Sequence, residues 1–273
     1  MKPLILICLL GSGLLLTSCF RYGIYQHSMV QNSHPYQAIP LQKDGSKSAL
    51  YAGGSISGGY VNHLSKDGTG AVQGTLHRGT NFGHFQAHYG VNGTLGFYRA
   101  SDYGEQSSSY YYNSNLNNYL IDSINGTKYF GSVGISAGIN TLVSFDDGGE
   151  WRVIGLQFTH QYELDNNYSA FRRKISIQDA NVVEHTRHYS TLGLTSELLI
   201  KVNPEEYLGY KVVVGGTLGN PRFYESYSAN YKIFRTFLNQ YLNYNFKKGT
   251  FYLQGSIGYY SYGAALGFNL KIK

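Results

Sequence analysis

Charge is scarce and scattered in this sequence. Of 273 residues, 22 are Lys or Arg and 16 are Asp or Glu, so only 14% carry charge. Arg172-Arg173-Lys174 is the one dense run. No basic stripe lies on a recognisable module, which excludes nucleic acid as a partner. Metal-binding patterns are missing too, because no His/Glu spacing matches a zinc site. His84 and His88 share a strand face, but four residues of strand rise separate them by about 13 Å. His185 and His188 fall on opposite faces of a strand. No nucleophile motif surrounds any Ser. Sets such as His160, Glu163 and Ser190, or His185 with Asp179, are products of free choice among 9 His and 16 acids. No catalytic, cofactor or metal residue is named on this basis, and enzyme activity is a distant reading.

Long apolar runs are missing with one exception. Met1-Lys2-Pro3 is followed by an apolar run from Leu4 to Leu16 and then by Thr17-Ser18. One positive charge, a short apolar run and small residues make a secretory signal peptide over residues 1–18. The run is too short for a transmembrane helix, which needs about 20 apolar residues. The quartet Leu16-Thr17-Ser18-Cys19 resembles the lipobox of bacterial lipoproteins. That resemblance implies cleavage before Cys19 and acylation of its thiol by diacylglycerol. Cysteine scarcity fits, since Cys8 lies within the removed signal. Cys19 would remain alone in a compartment that permits disulfides, with no partner to pair with. Phe20 follows Cys19 in place of Asp, which by the same resemblance implies sorting to the outer membrane. Residues 20–23 carry no acidic cluster of the kind linked to display of the anchor on the cell surface, so the resemblance does not imply surface display.

What the chain has in abundance is Gly, at 34 residues, and Tyr, at 27. Both depress helix propensity, whereas Tyr favours strands and Gly marks bulges or close backbone approach within them. Without residues 1–18 the balance is 21 basic minus 16 acidic residues, or +5. Residues 19–47 show no sustained periodicity and include Pro35 and Pro40, so they are expected to form a lipidated flexible tether. No linker divides the region from 48 to 273, which is expected to be one domain.

Alternation with period two recurs through that domain, the pattern of strands with two unlike faces. From Tyr129 to Phe145 the odd positions are mostly apolar and the even ones small and polar. Arg152, Ile154, Leu156, Phe158, His160, Tyr162 and Leu164 oppose Gly155, Gln157, Thr159, Gln161 and Glu163. Near the C-terminus, Tyr262, Ala264, Leu266, Phe268, Leu270 and Ile272 oppose Gly263, Ala265, Gly267, Asn269 and Lys271. Turn signals such as Arg78-Gly79-Thr80-Asn81 and Lys247-Lys248-Gly249 separate the runs. Ten strands result, near residues 49–63, 69–78, 82–99, 128–145, 150–164, 184–201, 206–218, 223–246, 250–259 and 263–272. Long connections near 100–127 and 165–183 then share one rim, while short turns and both ends of the domain share the other. Eight strands result if 69–99 and 250–272 are each one bent strand.

The pattern over 48–273 resembles small outer-membrane β-barrel proteins, which implies an all-β, antiparallel, up-and-down barrel. Faces rich in Gly, Ser, Gln and Asn suit a polar lumen. Tyr98, Tyr129, Tyr162, Tyr189, Tyr207 and Tyr259, near strand ends, suit interfacial girdles. Against it, the chain ends Leu270-Lys271-Ile272-Lys273, without the terminal aromatic residue usual in such barrels. The resemblance implies a structural or interaction role, with outer-membrane lipid, lipopolysaccharide or another envelope protein as partner. Arg172, Arg173 and Lys174 could then meet lipopolysaccharide phosphates. A lipid-tethered soluble barrel with a hydrophobic calyx stays open, since periodicity alone does not say which face is inside. A barrel enzyme acting on lipid A or peptides is third. A pore ranks below these, because ten strands enclose little more than side chains.

Overall fold

The computed structural model describes residues 24–31, 33–42, 47–61, 67–100, 126–165, 167–174, 182–218, 235–258 and 261–272. The elements are β1 (Ile24–Tyr25), β2 (Ser48–Val61), β3 (Asp67–Phe82), β4 (Phe85–Ala100), β5 (Gly126–Ser144), β6 (Glu150–Glu163), a helix α1 (Asn167–Lys174), β7 (Val182–Val183), β8 (His188–Asn203), β9 (Glu206–Leu218), β10 (Thr236–Phe246), β11 (Gly249–Gly258) and β12 (Ser261–Lys271). Ten strands pair with their sequence neighbours into a closed antiparallel barrel, which β12 seals by pairing with β2 from Ser261 opposite Val61 to Lys271 opposite Tyr51. Strands β1 and β7 stand outside the wall as a separate parallel pair. The barrel is therefore ten-stranded, not eight-stranded.

The turns 83–84, 145–149, 204–205 and 247–248 lie on one rim, together with the start of β2 and the end of β12. The β4–β5, β6–β8 and β9–β10 connections lie on the other. At the first of the short turns Gly83 holds a positive φ of 69°, a conformation that favours glycine. The reversal expected at Arg78-Gly79-Thr80-Asn81 is instead continuous strand, since β3 stays paired with β4 out to Phe82 opposite Phe85. Strand β10 starts at Thr236; the stretch 223–234 expected as its first half lies outside the described residues.

Burial shows which way each face points. Ile135, Ile139, Leu194, Val214, Leu253 and Leu266 point away from the barrel axis and are roughly half exposed or more, while Ser136, Asn140, Gln157, Thr195 and Gln254 point in and are buried. Among the described residues, 39 buried ones are polar or charged and 23 are apolar. A water-soluble domain shows the reverse preference, so the solvent of this wall is not water. Each barrel strand has at least ten residues, the length a tilted strand needs to cross a bilayer.

Two expectations about facing are corrected. Arg152 was expected on the apolar face, yet it is buried in the lumen. The β6 registers on both neighbours shift near it, and on β8 the shift lies between Arg152 and Gly155, so both of these residues face inward. Tyr98, Tyr189 and Tyr207 were expected in outward girdles but are buried inside. Outward aromatics do ring both rims. Tyr60, Phe97, Tyr129 and Tyr262 ring the long-loop rim, and Phe82, Phe85, Phe145, Trp151 and Phe251 the short-turn rim. Tyr259 lies outside the described residues.

Candidate functional site

The barrel is filled by its own chain. Residues 26–41, expected as part of a solvated tether, run through the lumen from one rim to the other, and the described residues among them are buried apart from the partly exposed Ser28. The segment enters at the long-loop rim. There β1 pairs with β7 within the β6–β8 connection, and Gln31 donates to the carbonyls of Tyr60 and Tyr262, at the loop ends of β2 and β12. It leaves at the short-turn rim, where the Gln42 backbone N–H donates to Glu150 and its side chain to the Gly83 carbonyl.

Between the rims the segment is held largely through its backbone carbonyls, as an extended strand would be, but by side chains. Ser256 donates to the Gln31 carbonyl at 3.2 Å and Tyr241 to that of His34 at 2.6 Å. Asn269 donates to the Tyr36 carbonyl, and the His77 Nε2 lies 3.0 Å from that of Ala38. Arg152 Nη2 donates to the Ile39 carbonyl, and Asn81 to that of Pro40. Carbonyls that would otherwise be orphaned in a dry interior are thus satisfied. Gly79 has its role here: a Cβ at that position would meet Pro40 Cδ at 2.8 Å and the Ile39 backbone at 3.1 Å.

The charged centre of the lumen is built around Glu197 on β8. It accepts from Arg152 on β6, from the Tyr36 hydroxyl at 2.7 Å and from Asn243 on β10 at 3.1 Å. Lys211 on β9 lies over the Tyr36 and Tyr241 rings and donates to Gln157. His34 packs on Phe237, and its Nε2 lies 2.6 Å from Thr191 Oγ1. Polar side chains from strands on several sides of the barrel therefore converge on one buried tyrosine of the segment.

A second cluster closes the long-loop rim. Arg172 on α1 pairs with Glu163 and donates to the Glu184 carbonyl, while Arg235 pairs with the Glu184 carboxylate at 2.7 Å. The His27 N–H donates to that same carboxylate at 2.9 Å, and its ring stacks on Tyr189. Tyr168 of α1 stacks on Tyr98 and donates to the Gln26 carbonyl at 2.8 Å, tying the helix to the incoming segment. Burial alone would raise the Glu184 pKa, but Arg235, His27 and Arg172 outweigh it and bring it down to about 2. A carboxyl lowered on folding adds stability above its unfolded value near 4.5, and that stability is lost as pH falls through the folded value. Burial first, and then Arg172, bring the His27 pKa down to about 3, so protonating that ring acts in the same direction. In detergent, wild-type protein should therefore lose about 3 kcal/mol more stability between pH 4.5 and 2 than Glu184→Gln does. Parallel pH profiles for the two proteins would refute the assignment.

The residues singled out in the sequence fare differently. Cys19 lies outside the described residues. The cluster 172–174 divides: Arg172 is buried and committed to Glu163, whereas Arg173, beside Asp165, and Lys174 are exposed. The set His160, Glu163 and Ser190 is split across the wall. His160 Nδ1 and Ser190 Oγ are 2.7 Å apart on the outward side, but Glu163 faces the lumen. His88 is buried in the lumen, while His84 sits in the exposed turn. Among the described residues no group of three or more His, Cys, Asp or Glu could hold a metal. The lumen segment was missed for want of periodicity. One signal does mark it, since positions 22–42 hold no Asp, Glu, Lys or Arg.

No family model matches the chain, and no curated protein matches it by sequence. Solved structures with some likeness include the translocator domain of the autotransporter NalP from Neisseria meningitidis, at 10% identity and a TM-score of 0.33, covering 84% of this chain and 91% of that one. An outer-membrane channel from Pseudomonas putida F1 is similar at 9% identity and a TM-score of 0.40, covering 87% and 98%. The β domain of the Bordetella autotransporter BrkA is similar at 12% identity and a TM-score of 0.34, covering 82% and 99%.

Proposed function

We propose that this protein is a non-enzymatic outer-membrane β-barrel lipoprotein, anchored through Cys19, with a structural or interaction role at the cell envelope. The observation that carries the reading is the inverted barrel, apolar on its outer wall and polar within. A calyx for a hydrophobic ligand needs an apolar, vacant interior, whereas this lumen is lined by Gln, Asn, Thr and charged groups and occupied by residues 26–41. The split of His160 and Ser190 from Glu163 speaks against a hydrolase built on that set. Arg173 and Lys174, exposed on α1, are the part of the basic run left to meet lipopolysaccharide phosphates.

Solubility is tested on residues 20–273, which lack the signal and Cys19 but keep the lumen segment. This protein should need detergent to stay in solution, and its gel mobility should change on boiling, as a closed barrel resists unfolding by detergent. A palmitate analogue should label the wild type and not Cys19→Ala. A monodisperse, detergent-free protein of residues 20–273 would defeat the membrane reading. Equal labelling of both would defeat the lipid reading.

A further inference from the structure

We infer that the threaded segment brings the lipid anchor out on the long-loop side of the barrel, so that the acyl chains enter the outer leaflet, facing the cell exterior. The inference rests on the lipoprotein reading above and adds the side of the membrane to it. A lipoprotein tether joined to the first strand at the short-turn rim would ordinarily leave its anchor there, in the inner leaflet of the outer membrane. Here β2 starts at the short-turn rim, but the 26–41 segment has already crossed the lumen before reaching it. At Ile24 the chain is beyond the opposite rim, paired with β7 in the β6–β8 connection. The hydrogen bonds of Gln31 and His27 fix the direction of passage: Gln31 bonds the loop ends of β2 and β12, and His27 bonds Glu184 and Arg187.

Covalent reach then decides the leaflet. Cys19 and Ile24 are five Cα-to-Cα steps apart, with four residues between them, and five steps span at most about 18 Å in any conformation. The hydrocarbon core of a bilayer is about 30 Å thick. The anchor therefore has too little chain to return to the short-turn side. Long loops face outward and short turns face the periplasm in barrels of this kind. The leaflet within reach is the outer one, against the expectation drawn from the missing acidic cluster after Cys19. The lock is specific to this segment, because the lumen donors bind six of its carbonyls and Tyr36 completes the Glu197 site.

Three single substitutions in the full-length protein test this on intact cells with a membrane-impermeant maleimide. Lys174→Cys, exposed at the end of α1, reports the long-loop side, Lys248→Cys reports the short-turn side, and Tyr22→Cys reports the N-terminal end of the thread. Tyr22→Cys and Lys174→Cys should both be modified on intact cells, and Lys248→Cys only after lysis. Tyr22→Cys behaving like Lys248→Cys would overturn the threading direction. Tyr22→Cys and Lys174→Cys both protected, with Lys248→Cys modified, would overturn the outer-leaflet assignment. Labelling by the palmitate analogue, run on the same proteins, reports separately on the lipid reading. An unlabelled protein would leave Cys19 a free thiol, so the three substitutions are then read in the Cys19→Ala background, and Tyr22→Cys still modified there would remove the anchor and leave only the topology.

Discussion

Glu197→Ala should cost the barrel about 3–5 kcal/mol, the usual loss when one partner of a buried ion pair is removed. Arg152 loses its carboxylate, with Gln86 and the Ile39 carbonyl as remaining acceptors. The Tyr36 hydroxyl and Asn243 lose an acceptor in the same step, and Lys211 stays nearby as a second buried cation. Glu197→Gln keeps the shape and one acceptor oxygen, so its loss should be smaller. Arg152→Ala combined with Glu197→Ala should be less harmful than the sum of the two singles, because no charge of that pair is left behind. Urea titration in detergent reads these differences. A Glu197→Ala protein as stable as wild type would mean that the pair does not hold the folded barrel together.

The wall was legible from sequence because a membrane barrel imposes one rule on every strand. That Ile135 and Ile139 share one face and Ser136 and Asn140 the other is read directly from period two, the turns at Asn203-Pro204-Glu205 and Lys247-Lys248 punctuate it, and burial in the folded chain then sets the first pair outward and the second inward. What failed was whatever broke the rule locally. Arg152 changes face because the β6 register shifts beside it, and a bulge leaves no mark in hydropathy. Tyr98, Tyr189 and Tyr207 face inward because each can use a polar tip there or stack on a neighbour, as Tyr98 does with Asp67 and Tyr168. Residues 26–41 were read as solvated because side chains from the wall bind their carbonyls, and such binding demands no repeat in the bound strand. Gly79 looked like a turn for the same reason. Its missing Cβ makes room for Pro40, and that neighbour is invisible until the lumen segment is placed.

Deleting residues 26–41 should turn a closed barrel into a conducting one. An extended chain occupies a cross-section of roughly 5 by 10 Å, from the spacings between strands and between packed sheets. Its removal vacates a continuous path along the axis from the rim at Tyr60 and Tyr262 to the rim at Gly83. The groups left lining that path include His77, Asn81, Arg152, Lys211, Glu197, Tyr241 and Asn269, several of which lose their carbonyl or hydroxyl partners in the segment. Such groups demand water, so the vacated space fills with it and does not collapse onto apolar contacts. In planar bilayers the wild type should be silent and the deletion should show discrete steps in current. A milder variant separates opening from misfolding. Gly79→Val keeps every residue of the segment but sets its side chain against Ile39 and Pro40, so it should give brief, infrequent openings in a barrel whose gel mobility still changes on boiling. A folded deletion protein that stays silent would show that the wall side chains close the lumen by themselves, and the segment would then serve only to carry the N-terminus across.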